Sequence, residues 1–273
     1  MREADGNERR ILVIVPFALD EAALDARSEQ AADYTARRSV SFVFRPVRVG
    51  PTSFVGGHDW LLADLGVFEA GCQAQEEGFD AVCVDTMSDS GVSALRSVLD
   101  IPVVGPGRNA LLLAITLGAR FSILALWHPS VVRYRAAIGD LHLERHCASI
   151  RSLGFEPDFV GLLRGKEKAA RDRLLEVGRQ CVADDGADVI VLGSTTLHAA
   201  AKWLIDDLGI PVVNPGPASY AMAELLIDTG LSQSRKCYLK TPAPKLEVYR
   251  AMADAAAQVG GALPASGHGE GEG

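Results

Sequence analysis

The sequence predicts an α/β protein with two related halves, and an internal repeat is the main reason. Residues 79–107 read FDAVCVDTMSDSGVSALRSVLDIPVVGPG, and residues 187–216 read ADVIVLGSTTLHAAAKWLIDDLGIPVVNPG. Each copy passes from an apolar run through a small hydroxyl residue and a helical segment to Ile-Pro-Val-Val. This order is typical of a strand–loop–helix–strand unit, so its repetition indicates two similar halves with mostly parallel sheets.

The elements before the first repeat copy follow from apolar runs and from breaker residues. A buried strand is expected at 11–15, where five apolar residues are consecutive, and helix formers follow over 20–36. Residues 40–49 alternate between apolar and polar side chains, which predicts a second strand. A loop rich in glycine and proline then leads to a helix over 61–78.

The elements outside the repeats continue the alternation of strands and helices. The same reasoning predicts, in order, a helix over 106–117, a strand over 121–126, helices over 131–138 and 142–153, a short strand near Phe159, and helices over 166–183, 217–229 and 245–258. We expect the last helices to return to the first half, so that the halves are discontinuous in sequence.

The repeat also suggests where the chain divides. We expect residues 1–105 with 214–260 to form the first half and residues 106–213 to form the second. Residues 261–273, which end in ASGHGEGEG, are expected to be a flexible tail because glycine and charged residues dominate there.

Composition narrows the class of protein. The chain has 273 residues, 48% of them hydrophobic and 23% charged, as in an ordinary globular protein of two domains. The net charge is −8 and no long basic block occurs, so nucleic acid is not an expected partner. No apolar run approaches the roughly 18 residues that a membrane span needs. The five cysteines form no C-x-x-C pair, which favours reduced thiols and a cytoplasmic location.

A candidate site follows from the position of two hydroxyl residues. Thr86 and Ser194 occupy equivalent positions in the two copies, each at the end of an apolar strand. Ligands of open parallel sheets bind beyond the carboxyl ends of the strands. We therefore expect a cleft between the halves, with Thr86 on one wall and Ser194 on the other.

At this point the chain resembles the aspartate/glutamate/hydantoin racemase superfamily, and most closely its hydantoin racemase branch. The resemblance covers about residues 10–235 and depends on the order and spacing of several short motifs. These are GFDAV ahead of Thr86, SDSG at 88–91, LDIPVVG at 99–105, LGARFS at 117–122 and GADVIVLG at 186–193.

The resemblance implies both a fold and a chemistry. It implies two flavodoxin-like parallel-sheet halves about a pseudo-twofold axis, in a chain that forms homo-oligomers. It also implies cofactor-free acid/base chemistry at a carbon next to a carbonyl, with one cysteine on each face of the substrate. The two cysteine positions correspond to Thr86 and Ser194 in this sequence.

The replacement of both cysteines changes the chemistry that is available. A thiol titrates near ~8.5, whereas an alcohol lies much nearer the value of ~15.7 for water. Forming the anion at such a site therefore costs roughly 10 kcal/mol more. The two-thiol mechanism is unavailable, and hydroxyls are better suited to orienting or protonating a substrate. Alternatively, Thr86 and Ser194 only cap the turns that follow them.

Two titratable residues are candidates for the missing acid/base groups. Asp85 precedes Thr86 at the end of an apolar strand, where a partly buried carboxylate can act as a base. His198 lies four residues after Ser194, and helical spacing would bring its ring toward that loop. The alternatives are that Asp85 anchors loop amides and that His198 is an ordinary packing or surface residue.

Further residues are expected to bind the substrate. Pro16 and Phe17 follow the first strand, where the family often has a polar turn that helps to hold the substrate. The substrate is therefore expected either to carry an apolar or ring portion or to lack the carboxylate grouping that the family turn holds. The helix starts beyond the two repeat strands offer free N–H groups to a carboxylate or an enolate oxygen. The remaining binding candidates are Ser88, Asp89, Thr195, Thr196 and, after the glycine-rich loop, His58. No metal site is predicted.

The sequence is thus interpreted as a cofactor-independent, racemase-like isomerase that acts on a small molecule with a carbonyl or carboxylate and uses non-thiol groups. A carbon–carbon lyase or decarboxylase is the first alternative, because the same cleft can stabilise an enolate however it forms. A protein that only binds a small molecule is the second.

Overall fold

The chain folds into two four-stranded sheets, each covered by helices. The computed structural model describes residues 8–35, 38–155 and 167–259. The predicted strand near Phe159 and the predicted tail at 261–273 lie outside the described residues. The strands are β1 Arg9–Val15, β2 Val40–Pro46, β3 Ala81–Val84, β4 Val103–Val104, β5 Phe121–Ala125, β6 Cys147–Ser152, β7 Val189–Leu192 and β8 Val212–Val213.

Helices occupy most of the connections between these strands. They are α1 Glu21–Ser28, α2 Ala32–Thr35, α3 Gly57–Gly71, α4 Val92–Arg96, α5 Pro106–Leu117, α6 Ser130–Asp140, α7 Glu167–Ala183, α8 Ala200–Leu208, α9 Pro215–Thr229 and α10 Leu246–Val259. Short 3-10 turns lie at Glu29–Ala31, Glu144–His146 and Thr195–Leu197. The helical region expected over 20–36 is therefore divided into two helices by a 3-10 turn.

The two sheets have the same topology, which confirms the predicted fold class. The strand order is β2-β1-β3-β4 in the first sheet and β6-β5-β7-β8 in the second, and every pairing is parallel. Adding four to each strand number converts one order into the other. The internal repeat of the sequence thus corresponds to equivalent strand–helix–strand units in two related halves.

One predicted element is wrong. The helix expected over 142–153 is instead a 3-10 turn followed by β6, which pairs with β5 along its whole length. Leu143, Ile150 and Leu153 have helix-like spacing, and every residue of this edge strand is only half-buried, so no clean alternation marks it. Pairing with the buried strand β5 outweighs the local helical pattern.

Each sheet is covered on one face by a helix that follows the other sheet in sequence. Helix α9, which follows the second sheet, places Tyr220 and Ala223 in a core with β1 and β3. Helix α5, which follows the first sheet, places Leu111 and Ala114 in a core with β5 and β7. Helices α5 and α9 also contact each other. The exact division of the chain into domains remains a prediction. No helix within the described ranges is long and apolar enough to cross a membrane.

Candidate active site

One cleft lies at the carboxyl ends of the central strands of both sheets. Its lining includes the last residue of β1 and the residues that directly follow β3, β5 and β7, and its empty volume, open solvent included, is about 590 Å³. The lining residues are Val15, Phe17, Arg27, Phe54, Trp60, Asp85, Thr86, Met87, Ser88, Leu126, Trp127, Ser130, Arg133, Tyr134, Gly193, Ser194, Thr195 and Thr196. Thr86 and Ser194 thus line the same cleft, from different sheets.

The first wall of the cleft, residues 85–90, carries a chain of three hydroxyls. The Oγ1 of Thr86 lies 3.0 Å from the Oγ of Ser88, which lies 2.9 Å from the Oγ of Ser90. The backbone N–H of Ser88 also donates to the Thr86 hydroxyl, at 3.4 Å. This local turn fixes the Thr86 side chain at the strand end.

The second wall, residues 193–196, also has three hydroxyls, but only two of them are bonded to each other. The Oγ of Ser194 lies 2.7 Å from the Oγ1 of Thr196 and accepts the Thr196 backbone N–H at 3.1 Å. Between them, the Thr195 hydroxyl donates to the backbone carbonyl of Asp85 at 3.2 Å. That bond ties the two walls together at the base of the cleft.

Counting hydrogens shows what the walls can offer a ligand. The three hydroxyls of the first wall have three hydrogens and two contacts with each other, so one hydrogen remains. The pair Ser194 and Thr196 has two hydrogens and one contact, so again one remains. Rotation of the hydroxyls can direct one donor into the cleft from each wall. Two opposed donors are suited to a developing oxyanion.

Asp85 is held in a buried ion pair. Arg27 donates to its carboxylate through Nε at 2.5 Å and through Nη2 at 2.9 Å, and Gln30 Nε2 lies 3.3 Å from both carboxylate oxygens. Arg27 is 2% exposed and Asp85 is 4% exposed. Asp85 is a lining residue of the cleft, but its carboxylate oxygens are engaged by these donors. Proton removal by Asp85 would require this ion pair to open.

Other residues predicted for the site lie beyond the cleft lining. His58 is 86% exposed and pairs with the neighbouring Asp59. His198 follows the second wall and accepts the Asn214 side-chain amide through its backbone carbonyl. Pro16 is buried beside Phe17 but does not itself line the cleft. The catalytic role predicted for His198 and the binding roles predicted for His58 and Pro16 stay predictions.

Asp89 belongs to the first-wall segment but is not among the residues that line the cleft, and it caps helix α5. Its carboxylate accepts the backbone N–H groups of Gly107 at 2.7 Å and Arg108 at 2.8 Å, and its φ is 54°. Burial raises the pKa of Asp89, while those two amides and the charges of Arg96 and Arg133 act in the opposite direction. The contacts match an anchoring role for Asp89, and substrate contact remains a prediction.

Several cleft residues were not identified from the sequence. Arg27 and Arg133 lie within helices, where an arginine ordinarily faces solvent, so periodicity gives no signal for either. Tyr134 is buried and donates its hydroxyl to the Gly193 carbonyl, and burial raises its pKa well above the usual range. The apolar spacing of Val131, Tyr134 and Ile138 identifies the buried face of α6, but not the cleft beside it.

The charges at the cleft are few, and they favour an anionic ligand. Arg27 and Asp85 neutralise each other, Tyr134 is neutral, and Arg133 contributes one positive charge. Among the described residues, no group of three or more His, Cys, Asp or Glu side chains is arranged to hold a metal ion.

Thiol chemistry can be tested directly. None of the five cysteines, all within the described ranges, lines the cleft, and Cys237 is the exposed one. Burial raises the pKa of Cys83 to about 12 and of Cys147 to about 11. We expect N-ethylmaleimide to label native protein at Cys237 alone, as read by mass spectrometry, and to leave turnover unchanged. If labelling lowers turnover in parallel, both in the native protein and in the Cys237→Ser variant, this view is contradicted.

Comparison with known proteins places this geometry in context. A model of the Asp/Glu/hydantoin racemase family matches residues 21–223. The hydantoin racemase of Pseudomonas sp. (strain NS671) is 31% identical over 219 residues, covering 80% of this chain and 86% of that protein. The hydantoin racemase of Paenarthrobacter aurescens is 30% identical over 242 residues, covering 86% and 98%.

Solved structures with the same fold belong to enzymes of more than one kind. The allantoin racemase from Klebsiella pneumoniae superimposes with a TM-score of 0.79 at 25% identity, covering 86% of this chain and 95% of that one. A liganded variant of arylmalonate decarboxylase gives a TM-score of 0.60 at 21% identity, covering 84% and 97%. The second likeness extends to the fold alone.

Proposed function

Because this chain belongs to the Asp/Glu/hydantoin racemase family, we propose that it is a cofactor-independent isomerase that moves a proton at a carbon next to a carbonyl. The observation that carries the proposal is the pair of hydroxyl walls, which face one cleft from the two related sheets. A substrate held between them exposes both faces of one carbon to protein groups. Inversion at a carbon requires that access.

The hydroxyl walls would act on the carbonyl oxygen of the substrate. Removing a proton next to a carbonyl moves negative charge onto that oxygen, and a donor already aimed at it stabilises the enolate without reorganisation. Thr86 and Ser194 each have a hydroxyl partner two residues on, so each can donate into the cleft while its position stays fixed. The hydroxyls would thus stabilise the intermediate rather than act as bases. A hydroxyl that returns a proton to the carbon would regain one from solvent, and the base would release to solvent the proton that it removed.

The base in this reaction would be Asp85. It is the one carboxylate among the lining residues, and proton abstraction by Asp85 requires its bonds to Arg27 and Gln30 to open. Arg27 would then be left beside the developing negative charge, where its own positive charge is favourable. His198 is the second titratable candidate, through a movement of the loop that follows Ser194.

A second candidate function is decarboxylation, and the engagement of Asp85 favours it. A substrate carboxylate that leaves as CO₂ is already ionised, so the reaction needs no base. The bonding electrons pass to the neighbouring carbonyl, and the resulting enolate takes a proton from a hydroxyl or from water. The hydroxyl walls would stabilise that enolate in the same way, and the apolar part of the cleft would destabilise the departing carboxylate.

The remaining features of the function are also proposals. We propose that the enzyme acts in the cytoplasm as a homo-oligomer, and that its halves are residues 1–105 with 214–260 and residues 106–213. A protein that only binds a small molecule would have the same cleft. Turnover is what distinguishes the enzyme from the binder.

Turnover can be tested with enantiopure 5-substituted hydantoins, allantoin and 2-substituted carboxylic acids, together with substituted malonates. Enzyme-dependent loss of optical rotation without loss of mass would support the isomerase. Release of CO₂ from a malonate would support the decarboxylase. If neither change occurs with any compound of these classes, the proposed function is contradicted.

A further inference from the structure

Among the described residues that line the cleft, Arg133 is the one whose positive charge has no ion-pair partner. It comes from α6 in the second half, and its Nη2 donates to the backbone carbonyl of Ser88 in the first wall at 2.8 Å. Its Cζ lies 5.9 Å from the centroid of the Trp60 ring. The guanidinium is therefore held at the first wall by one hydrogen bond and lies over one ring face.

The hydrogen bond to Ser88 uses only part of the donor capacity of Arg133. A guanidinium has five N–H groups, and the carboxylates that the structure describes form no ion pair with this one. The charge of Asp89 is close enough to interact with Arg133, but its two oxygens accept the amides of Gly107 and Arg108. Arg133, which is a lining residue of the cleft, thus retains unused N–H donors.

The surroundings of Arg133 define the rest of the ligand. The Phe17 and Phe54 rings pack edge to face at 5.3 Å, and Trp127 donates its ring N–H to the Phe54 carbonyl at 3.1 Å. With Trp60, these rings form an apolar face within the same cleft. A ligand that fills the cleft therefore meets hydroxyls, one guanidinium and aromatic rings.

We propose that Arg133 binds a carboxylate of the substrate and selects for an anion whose neighbouring carbon bears an apolar group. The planar guanidinium matches the two oxygens of a carboxylate, and partial burial strengthens the attraction. The overall charge of the protein is −8, so a local positive charge is needed to hold an anion in this cleft. This inference rests on the proposed function and specifies its substrate class.

Binding of two matched probes to the purified full-length protein tests the proposal without requiring turnover. Phenylacetate carries the carboxylate, and phenylacetamide is its neutral counterpart of the same size. By calorimetry, the affinity of native protein for phenylacetate should exceed its affinity for phenylacetamide by roughly tenfold to a hundredfold. This is the factor that one hydrogen bond to a charged partner contributes to affinity. Arg133→Gln should abolish the preference, and Arg133→Lys should keep part of it.

Arg135→Gln is the matched control, because Arg135 is an exposed arginine on the same helix. It should leave the preference unchanged, and thermal unfolding should show that each variant is folded. No preference in native protein, or an unaltered preference in folded Arg133→Gln, would overturn the inference. Charge-selective binding by Arg133 without turnover of any compound would contradict the proposed function and leave this inference standing.

Discussion

Removing the Thr86 and Ser194 hydroxyls together is expected to lower kcat by at least about 100- to 1,000-fold, the usual effect of losing a donor to a developing oxyanion. Thr86→Val keeps the shape of the side chain, and Ser194→Ala removes a single oxygen atom. Neither substitution leaves a large cavity, so the fold should survive. The loss should appear in kcat more than in KM, because the hydroxyls bind the enolate better than the ground state.

Two hydroxyls outside the cleft provide the control for this pair. Thr116 and Ser97 donate to carbonyls three residues earlier, at 2.7 and 2.6 Å. Thr116→Val with Ser97→Ala should leave kcat unchanged. If Thr86→Val with Ser194→Ala retains native kcat as well, the two cleft hydroxyls are only turn-forming residues.

Replacing Arg27 with alanine is expected to lower the free energy of unfolding by about 3–5 kcal/mol. The substitution leaves the carboxylate of Asp85 buried with only the Gln30 amide as a side-chain donor. Taking a charge out of water without its partner is the main cost. Urea denaturation of native and Arg27→Ala protein measures the difference.

An exposed ion pair serves as the control for this test, and a double substitution checks that the cost arises from an unpaired buried charge. Lys240 pairs with Asp100, and both side chains are about half exposed, so Lys240→Ala should cost no more than about 1 kcal/mol. Arg27→Met with Asp85→Leu removes both charges and should recover much of the lost stability. A loss below about 1 kcal/mol for Arg27→Ala would mean that water or another cation compensates Asp85.

The sequence predicted the fold and the location of the cleft because both depend on regular patterns. The repeated strand–helix–strand unit implied two related halves, and the sheet orders confirm them. Parallel strands place their carboxyl ends at one edge, so Thr86 and Ser194 could be assigned to a common cleft from their positions alone. The helix over 142–153 was mispredicted because the pairing of β6 depends on β5, which local spacing does not reveal.

The residues that pair with Asp85 and Ser88 in the cleft could not be predicted from the sequence. Arg27 reaches Asp85 across 58 positions of sequence, and Arg133 reaches Ser88 across 45. Neither arginine belongs to a motif, and an arginine in a helix ordinarily faces solvent. Asp85 was singled out from the sequence because it is a carboxylate at the end of an apolar strand, and its role stays a prediction. Its ion pair with Arg27 depends on the packing of α1 beside the sheet, which no local pattern in the sequence encodes.

The most direct test of enolate chemistry in this cleft is deuterium incorporation from D₂O. A compound that responds in the optical-rotation or CO₂ assay is incubated with enzyme, and its reacting carbon is followed by NMR and mass spectrometry. We predict that deuterium enters that carbon at an enzyme-dependent rate, in the recovered substrate for an isomerase or in the smaller product for a decarboxylase. The rate should fall by at least about 100-fold in Thr86→Val with Ser194→Ala. Label that enters equally fast in that variant, or turnover of a responding compound with no deuterium at its reacting carbon, would contradict this account.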